Sequence, residues 1–145
     1  MSPPAAWLRL ACCGWLASQG PEPPTTATVL ARLAGAFRSG QTEPLRELAS
    51  VTGRVHVDLE GTLPVRGAYG PGQLAAVFAR VFAGCETRSF QYLPDGGRAS
   101  DTSAFARARW VKRARGEQRD VEQTLTFTFA LEDGAWRLVE IRASR

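Results

Sequence analysis

Few residues in this chain are of a type and spacing that could do chemistry. His56 is the single histidine, and it stands in the row Val55-His56-Val57-Asp58-Leu59-Glu60, where apolar and polar residues alternate. On a strand, that alternation sets His56, Asp58 and Glu60 side by side, with donor atoms that a metal ion accepts. No second ligand cluster accompanies them, so the row is expected to be a hydrated polar face and no metal is expected. Cys85 has no histidine nearby in sequence and is expected to be a small buried hydrophobe near a helix end rather than a nucleophile. The stretches "PDGGR" and "GPGQ" read as turns, not as phosphate-binding loops.

What remains is a carboxylate and a phenol. If Glu140 and Tyr92 faced one cavity, they would form a minimal acid/base and hydrogen-bond pair for an apolar ligand. Tyr92, Trp110, Gln123 and Glu140 are therefore the ligand-pocket candidates. In "AWRLVEIRAS", Trp136, Leu138 and Glu140 share one parity while Val139 and Ile141 share the other, so a bulge or twist decides which way Glu140 points. The competing expectation is a salt bridge at the rim. Trp110 and Trp136 also fit as plain core aromatics.

A run of basic residues extends from Arg107 to Arg115. Alternation puts Phe105, Arg107, Arg109, Val111, Arg113 and Arg115 on one side and Ala104, Ala106, Ala108, Trp110, Lys112 and Ala114 on the other. The next segment sorts into Val121, Gln123, Leu125, Phe127, Phe129 and Leu131 against Glu122, Thr124, Thr126 and Thr128, which declares the core side. Arg107, Arg109 and Arg113 are thus expected on the solvent face, as candidates for a protein-interaction surface. Single-strand binders interleave exposed aromatics with their cations; Trp110 has the opposite parity, so nucleic acid is not expected as a partner.

The elements that must position these residues follow from periodicity. Val29, Leu30, Leu33, Ala34 and Phe37 recur at helical spacing after Thr25, with Gly40 as a stop. A short helix from Thr42 to Ala49 tolerates Pro44 in its first turn. "GRVHVDLEG" reads as a half-buried strand. A third helix begins near Pro71 and carries Leu74, Val77, Phe78, Val81 and Phe82. Alternating segments then run to the end, divided by turns at 94–97, 115–118 and 132–134, and are expected to form an antiparallel meander. Helix, helix, strand, helix and a meander is an α+β order, in which one curved sheet wraps around helices.

At 145 residues, 44% hydrophobic and 22% charged, with a formal net charge of +4, the chain is sized for one domain. Lys112 is its single lysine, so the basicity is almost wholly arginine. Residues 1–24, "MSPPAAWLRLACCGWLASQGPEPP", differ from the rest: Arg9 precedes an apolar run, and a proline-rich spacer follows. They read as a secretory signal with cleavage near Ser18, giving an exported, periplasmic or secreted domain over 25–145. Cys12 and Cys13 raise lipid attachment as an alternative, though neither stands in a clean lipobox. If the leader is not a signal, the chain stays in the cytoplasm. The apolar run falls well short of the ~20 residues that span a bilayer.

The stretches "VLARLAGAFRSGQTEPL", "YGPGQLAAVFARVF" and "FTFALEDGAWRLVEIRAS" resemble the nuclear transport factor 2-like superfamily, whose cone-shaped cystatin-like fold is shared by SnoaL-type and ketosteroid-isomerase-type proteins. The pattern is most similar to small exported bacterial families of unknown function. The resemblance implies N-terminal helices packed in the concave face of one curved antiparallel sheet. It also implies that any catalytic carboxylate would project between sheet and helices. The expected function is a non-catalytic module that binds a small apolar ligand or a protein partner, with a homodimer through the sheet as one such assembly and no cofactor. The alternative is a SnoaL-type isomerase or hydratase of an apolar substrate, with Glu140 as base and Tyr92 or Gln123 polarising the substrate.

Overall fold

The computed structural model of the protein describes residues 25–60, 63–94 and 98–144. The leader, its cleavage near Ser18, the lipid-attachment alternative and most of the turn at 94–97 lie outside those residues. Helix α1 (Thr26–Ser39) begins where the Thr25 hydroxyl accepts from the Thr28 N–H at 3.3 Å, and it stops at Gly40, whose φ of +70° suits a residue without a Cβ. Its buried stripe is Val29, Leu33, Ala34, Ala36 and Phe37. Helix α2 (Glu43–Leu48) carries Pro44 in its first turn and buries Leu45 and Leu48. Helix α3 (Pro71–Gly84) buries Leu74, Phe78, Val81 and Phe82.

Among the described residues, seven strands follow the order of the chain: β1 (Val55–Asp58), β2 (Arg66–Tyr69), β3 (Cys85–Tyr92), β4 (Arg98–Ala99), β5 (Ser103–Ala114), β6 (Asp120–Glu132) and β7 (Ala135–Ser144). The sheet runs β2-β1-β7-β6-β5-β3, with β4 attached to β5. The β6–β7 hairpin closes through Asp133 and Gly134, both with positive φ, the pair of conformations that a tight two-residue hairpin turn requires.

Two features depart from the sequence expectation. The sheet is mixed, because β1 runs parallel to β7 while the other pairs are antiparallel. The end of α2 sets this direction: the Ser50 N–H donates to the Leu138 carbonyl at 2.9 Å and Ala49 bridges Leu138 in parallel, so the chain enters β1 already aligned with β7. Strand β2 was not anticipated, because "RGAY" contains too little alternation to announce itself.

The helices fill the concave side. Phe37 is fully buried, and its ring meets those of Phe78, Phe82, Phe90, Trp110 and Phe127 at centroid distances from 4.8 to 5.7 Å. Four of the five contacts are edge-to-face, the geometry that aromatic quadrupoles favour. Arg38 donates from Nε and an Nη to the Phe90 carbonyl at 3.1 and 2.7 Å, tying α1 to β3. Arg115 donates to the Ala83 carbonyl at 2.7 Å and so caps the end of α3. Phe37→Ala is expected to cost about 3–5 kcal/mol of unfolding free energy, since a large core cavity would be left. Urea denaturation checks it; a loss below about 1 kcal/mol would mean that the cluster re-closes around the gap.

Candidate functional site

Strands β3, β5, β6 and β7 carry the four ligand-pocket candidates, and the structure treats them differently. Tyr92 sits across from Ala108 on the inner face, and its hydroxyl donates to the Leu30 carbonyl at 2.7 Å. Burial pushes its pKa up, beyond what the nearby Arg38 charge can offset. Trp110 is fully buried and donates from Nε1 to the Thr87 hydroxyl at 2.9 Å. Gln123 is buried across from Trp110 and accepts from the Lys112 ammonium at 2.6 Å.

Glu140 faces the other way. Val139 is an extra residue opposite the Thr128/Phe129 step, a β-bulge that resets the parity of β7. Leu138 before it and Ile141 after it are both fully buried, while Glu140 pairs with Thr128 and with His56 on the outer face. Its carboxylate lies 3.5 Å from Arg142. The proposed Glu140 and Tyr92 pair therefore does not form: the two side chains are on opposite faces of the sheet. Arg88 is the extra residue of a second bulge in β3 and points out toward Glu86.

The sequence reading missed Lys112 as a site residue. It is 4% exposed, and its ammonium lies 4.1 Å from the centroid of the Trp110 ring, close enough for cation–π attraction. Burial pulls its pKa down to about 8, with the Cys85 thiol acting in the opposite sense. Cys85 is itself buried and donates to the Val81 carbonyl at 3.2 Å, and burial pushes its thiol up, away from the thiolate that nucleophilic chemistry needs. The signal for Lys112 was present in the sequence: it shares the parity of Ala108 and Trp110, the buried row of β5.

Two concavities matter. An apolar cavity of about 230 Å³ opens where the N-terminal turn of α1 meets the far end of the sheet. It is lined by Thr26, Val29 and Leu30 of α1, Ala99 of β4, Ala104 and Phe105 of β5, Phe129 of β6 and Trp136 of β7. A polar depression of about 370 Å³ lies on the outer face around His56, Asp58, Arg66, Glu140 and Arg142. There Asp58 pairs in register with both Arg66 and Arg142, so opposite charges are interspersed. Among the described residues, no group of three His, Cys, Asp or Glu side chains could hold a metal ion.

The arginines of β5 are on the outer face. Arg109 pairs with Glu122 at 2.9 Å and Arg113 with Asp120 at 2.8 Å, leaving Arg107 beside Thr126. Exposed pairs of this kind contribute little to stability, but they cancel much of the positive field that a polyanion would need. No described helix is long and apolar enough to cross a membrane.

No protein-family model matches the sequence, and no curated protein does. Solved structures do match in fold. One is a DUF4783 family protein from Bacteroides uniformis, 14% identical over 79% of this chain and 94% of that one, with a TM-score of 0.65. Another is a hypothetical protein with a ketosteroid isomerase-like fold from Catenulispora acidiphila, in complex with trimethylamine, 11% identical over 83% and 87%, with a TM-score of 0.64. A third is a domain of unknown function with a cystatin-like fold from Nostoc punctiforme, 14% identical over 84% and 79%, with a TM-score of 0.61. The chain has the nuclear transport factor 2-like, cystatin-like fold; at these identities the likeness is one of fold alone.

The buried amine makes stability depend on pH. An unfolded lysine titrates near 10.5 and the folded one near 8, so between those values the unfolded chain binds more protons and stability rises with pH. Below about 8 both states are protonated and the whole cost of burying the charge is present. The difference in urea unfolding free energy between the wild type and Lys112→Met is expected to change by on the order of 2 kcal/mol from about pH 7.5 to about pH 10. A difference that is flat across that range would show that the ammonium is better solvated than its burial implies.

Proposed function

We propose that the protein is a non-catalytic binding module that takes a small apolar ligand, or an apolar side chain of a protein partner, in the cavity beside α1. The observation that carries this is the contrast between the cavity and the interior behind it. Seven of the eight lining residues are apolar, and the inner-face polar groups are occupied: Tyr92 by Leu30, Trp110 by Thr87, and Gln123 by Lys112. Apolar walls supply binding free energy in proportion to the area removed from water, while a proton-transfer site needs a carboxylate or imidazole aimed into the cavity. None of the eight lining residues carries either group.

Size restricts the ligand. A dry cavity of about 150 Å³ holds benzene, so one of about 230 Å³ suits a ligand of one or two fused rings or a short branched chain. The fold neighbour in complex with trimethylamine supports a small-ligand reading. The isomerase or hydratase alternative would need a base in this cavity, and Glu140 is on the other side of the sheet.

The chain from Pro21 onward, titrated with naphthalene, is expected to gain several degrees in Tm, on the order of 1–3 kcal/mol of binding linkage. Ala104 is 7% exposed on the cavity wall, so Ala104→Phe fills the space and is expected to abolish the gain, while Glu140→Gln leaves it unchanged. An unshifted Tm for the wild-type domain would overturn the small-ligand reading, and a gain lost in Glu140→Gln would move the site to the outer face.

A further inference from the structure

A third concavity, a groove of about 320 Å³, lies between β2 and α3 and shares no lining residue with the cavity beside α1. Leu63 and Val65 form one wall, Tyr69 of β2 a second, and Val77, Arg80 and Val81 of α3 a third. The walls are fixed from behind. The Leu59 N–H donates to the Val65 carbonyl at 2.8 Å and the Leu63 N–H to the Leu59 carbonyl at 3.3 Å, and Leu59 is fully buried. Tyr69 is followed directly by the cap of α3, where the Gly70 N–H donates to Gln73 Oε1 at 3.1 Å. Val77, which periodicity places in the buried stripe of α3, is only half-buried because it faces this groove.

Two polar groups on these apolar walls have no hydrogen-bond or ionic partner among the described residues: the Arg80 guanidinium and the Tyr69 hydroxyl. The Tyr69 ring folds back over Gly67, where an added Cβ would stand 2.9 Å from the hydroxyl oxygen, so the hydroxyl is carried along β2 toward Val65. Val77, Arg80 and Val81 stand at i, i+3 and i+4 and share one face of α3. The Arg80 stem can therefore run along the valines while its charge stays at the wet rim. We propose that the groove is a second binding site, beyond the cavity beside α1, and that it takes a small apolar monocarboxylate. The hydrocarbon body covers Leu63, Val65, Val77 and Val81, and the carboxylate accepts from Arg80 and from the Tyr69 hydroxyl. The lining carries one cation and no anion, so an amine meets a like charge and a polyanion finds a single counter-charge. A guanidinium only donates and a phenol can donate, which suits the acceptor-only oxygens of a carboxylate and gives charge-assisted bonds. The groove has roughly twice the volume of the ~150 Å³ cavity that holds benzene, room for a medium acyl chain or a bicyclic body. The cavity beside α1 has no charged lining residue to hold such an acid, so the two sites select by charge.

The test titrates the full chain at neutral pH with octanoate and, separately, with 1-octanol, following the methyl resonances of Val77 and Val81 against those of Val29 and Leu30. Octanoate is expected to move the Val77 and Val81 signals, to bind there at least tenfold more tightly than 1-octanol, and to lose affinity as salt is raised. Arg80 is exposed, so Arg80→Gln leaves the fold intact; it is expected to weaken octanoate at least fivefold and to leave 1-octanol unchanged, and Arg80→Lys to recover part of the loss. Tyr69→Phe is expected to weaken octanoate by a smaller factor. Ala104→Phe, which fills the cavity beside α1, is expected to abolish naphthalene binding and to leave octanoate binding as it is. An octanoate affinity untouched by Arg80→Gln, signals that move only at Val29 and Leu30, or no movement at millimolar octanoate overturns the inference and leaves the reading of the α1 cavity standing. Octanoate binding kept while naphthalene fails to bind overturns that reading alone.

Discussion

The fold depends on filling the concave side of a sheet that does not close on itself. A curved sheet with an empty inner face would expose one continuous apolar surface, and here the Phe37 ring occupies its centre with five aromatic neighbours drawn from α3, β3, β5 and β6. The position of α1 follows from that contact, and with α1 go the Tyr92 hydroxyl bond to Leu30 and the Arg38 bonds to Phe90. A core packed this way has little room left over. The space that remains is pushed to the end of α1, away from the buried polar pair Lys112 and Gln123.

The polar residues of the interior are best understood as the cost of ending a long strand. Strand β5 continues past Trp110, its inner parity reaches Lys112, and the lysine's stem covers apolar surface while its ammonium is met by Gln123 and the Trp110 ring. An ammonium out of water is unfavourable unless such groups surround it. Cys85, at the start of the neighbouring strand, feels that charge and stays a thiol. Lys112 and Gln123 thus look like site residues by type and burial, yet none of the cavities described includes either of them.

Much of the architecture was legible in the sequence because β5 and β6 keep strict period two over ten or more residues. Register then follows from one strand whose sides differ, and the Phe127 row of β6 told the Arg107 row of β5 where to face. The candidate site was far less legible. Glu140 depended on whether Val139 was paired, and a one-residue bulge leaves no mark in composition or hydropathy. The parallel seam between β1 and β7 was equally hidden, since strand direction is set by how α2 delivers the chain rather than by the residues of β1. The cavity assembles from α1, β4, β5, β6 and β7, whose lining residues have ordinary core types and no local spacing in common.

That parallel seam also bears on the order in which the protein can be made. Strand β1 has its neighbours in β2 and in β7, the last of the described strands, and the backbone bond from Ser50 waits for Leu138. During synthesis α1, α2 and the β1–β2 hairpin leave the ribosome before the β7 edge of β1 has its partner, and the sheet joins only when the β6–β7 hairpin arrives. Such long-range pairing delays folding, because the loop must close before any contact rewards it. Throughout that interval the nascent chain presents an unpaired strand edge, a row of backbone donors and acceptors open to wrong pairing until β7 covers it.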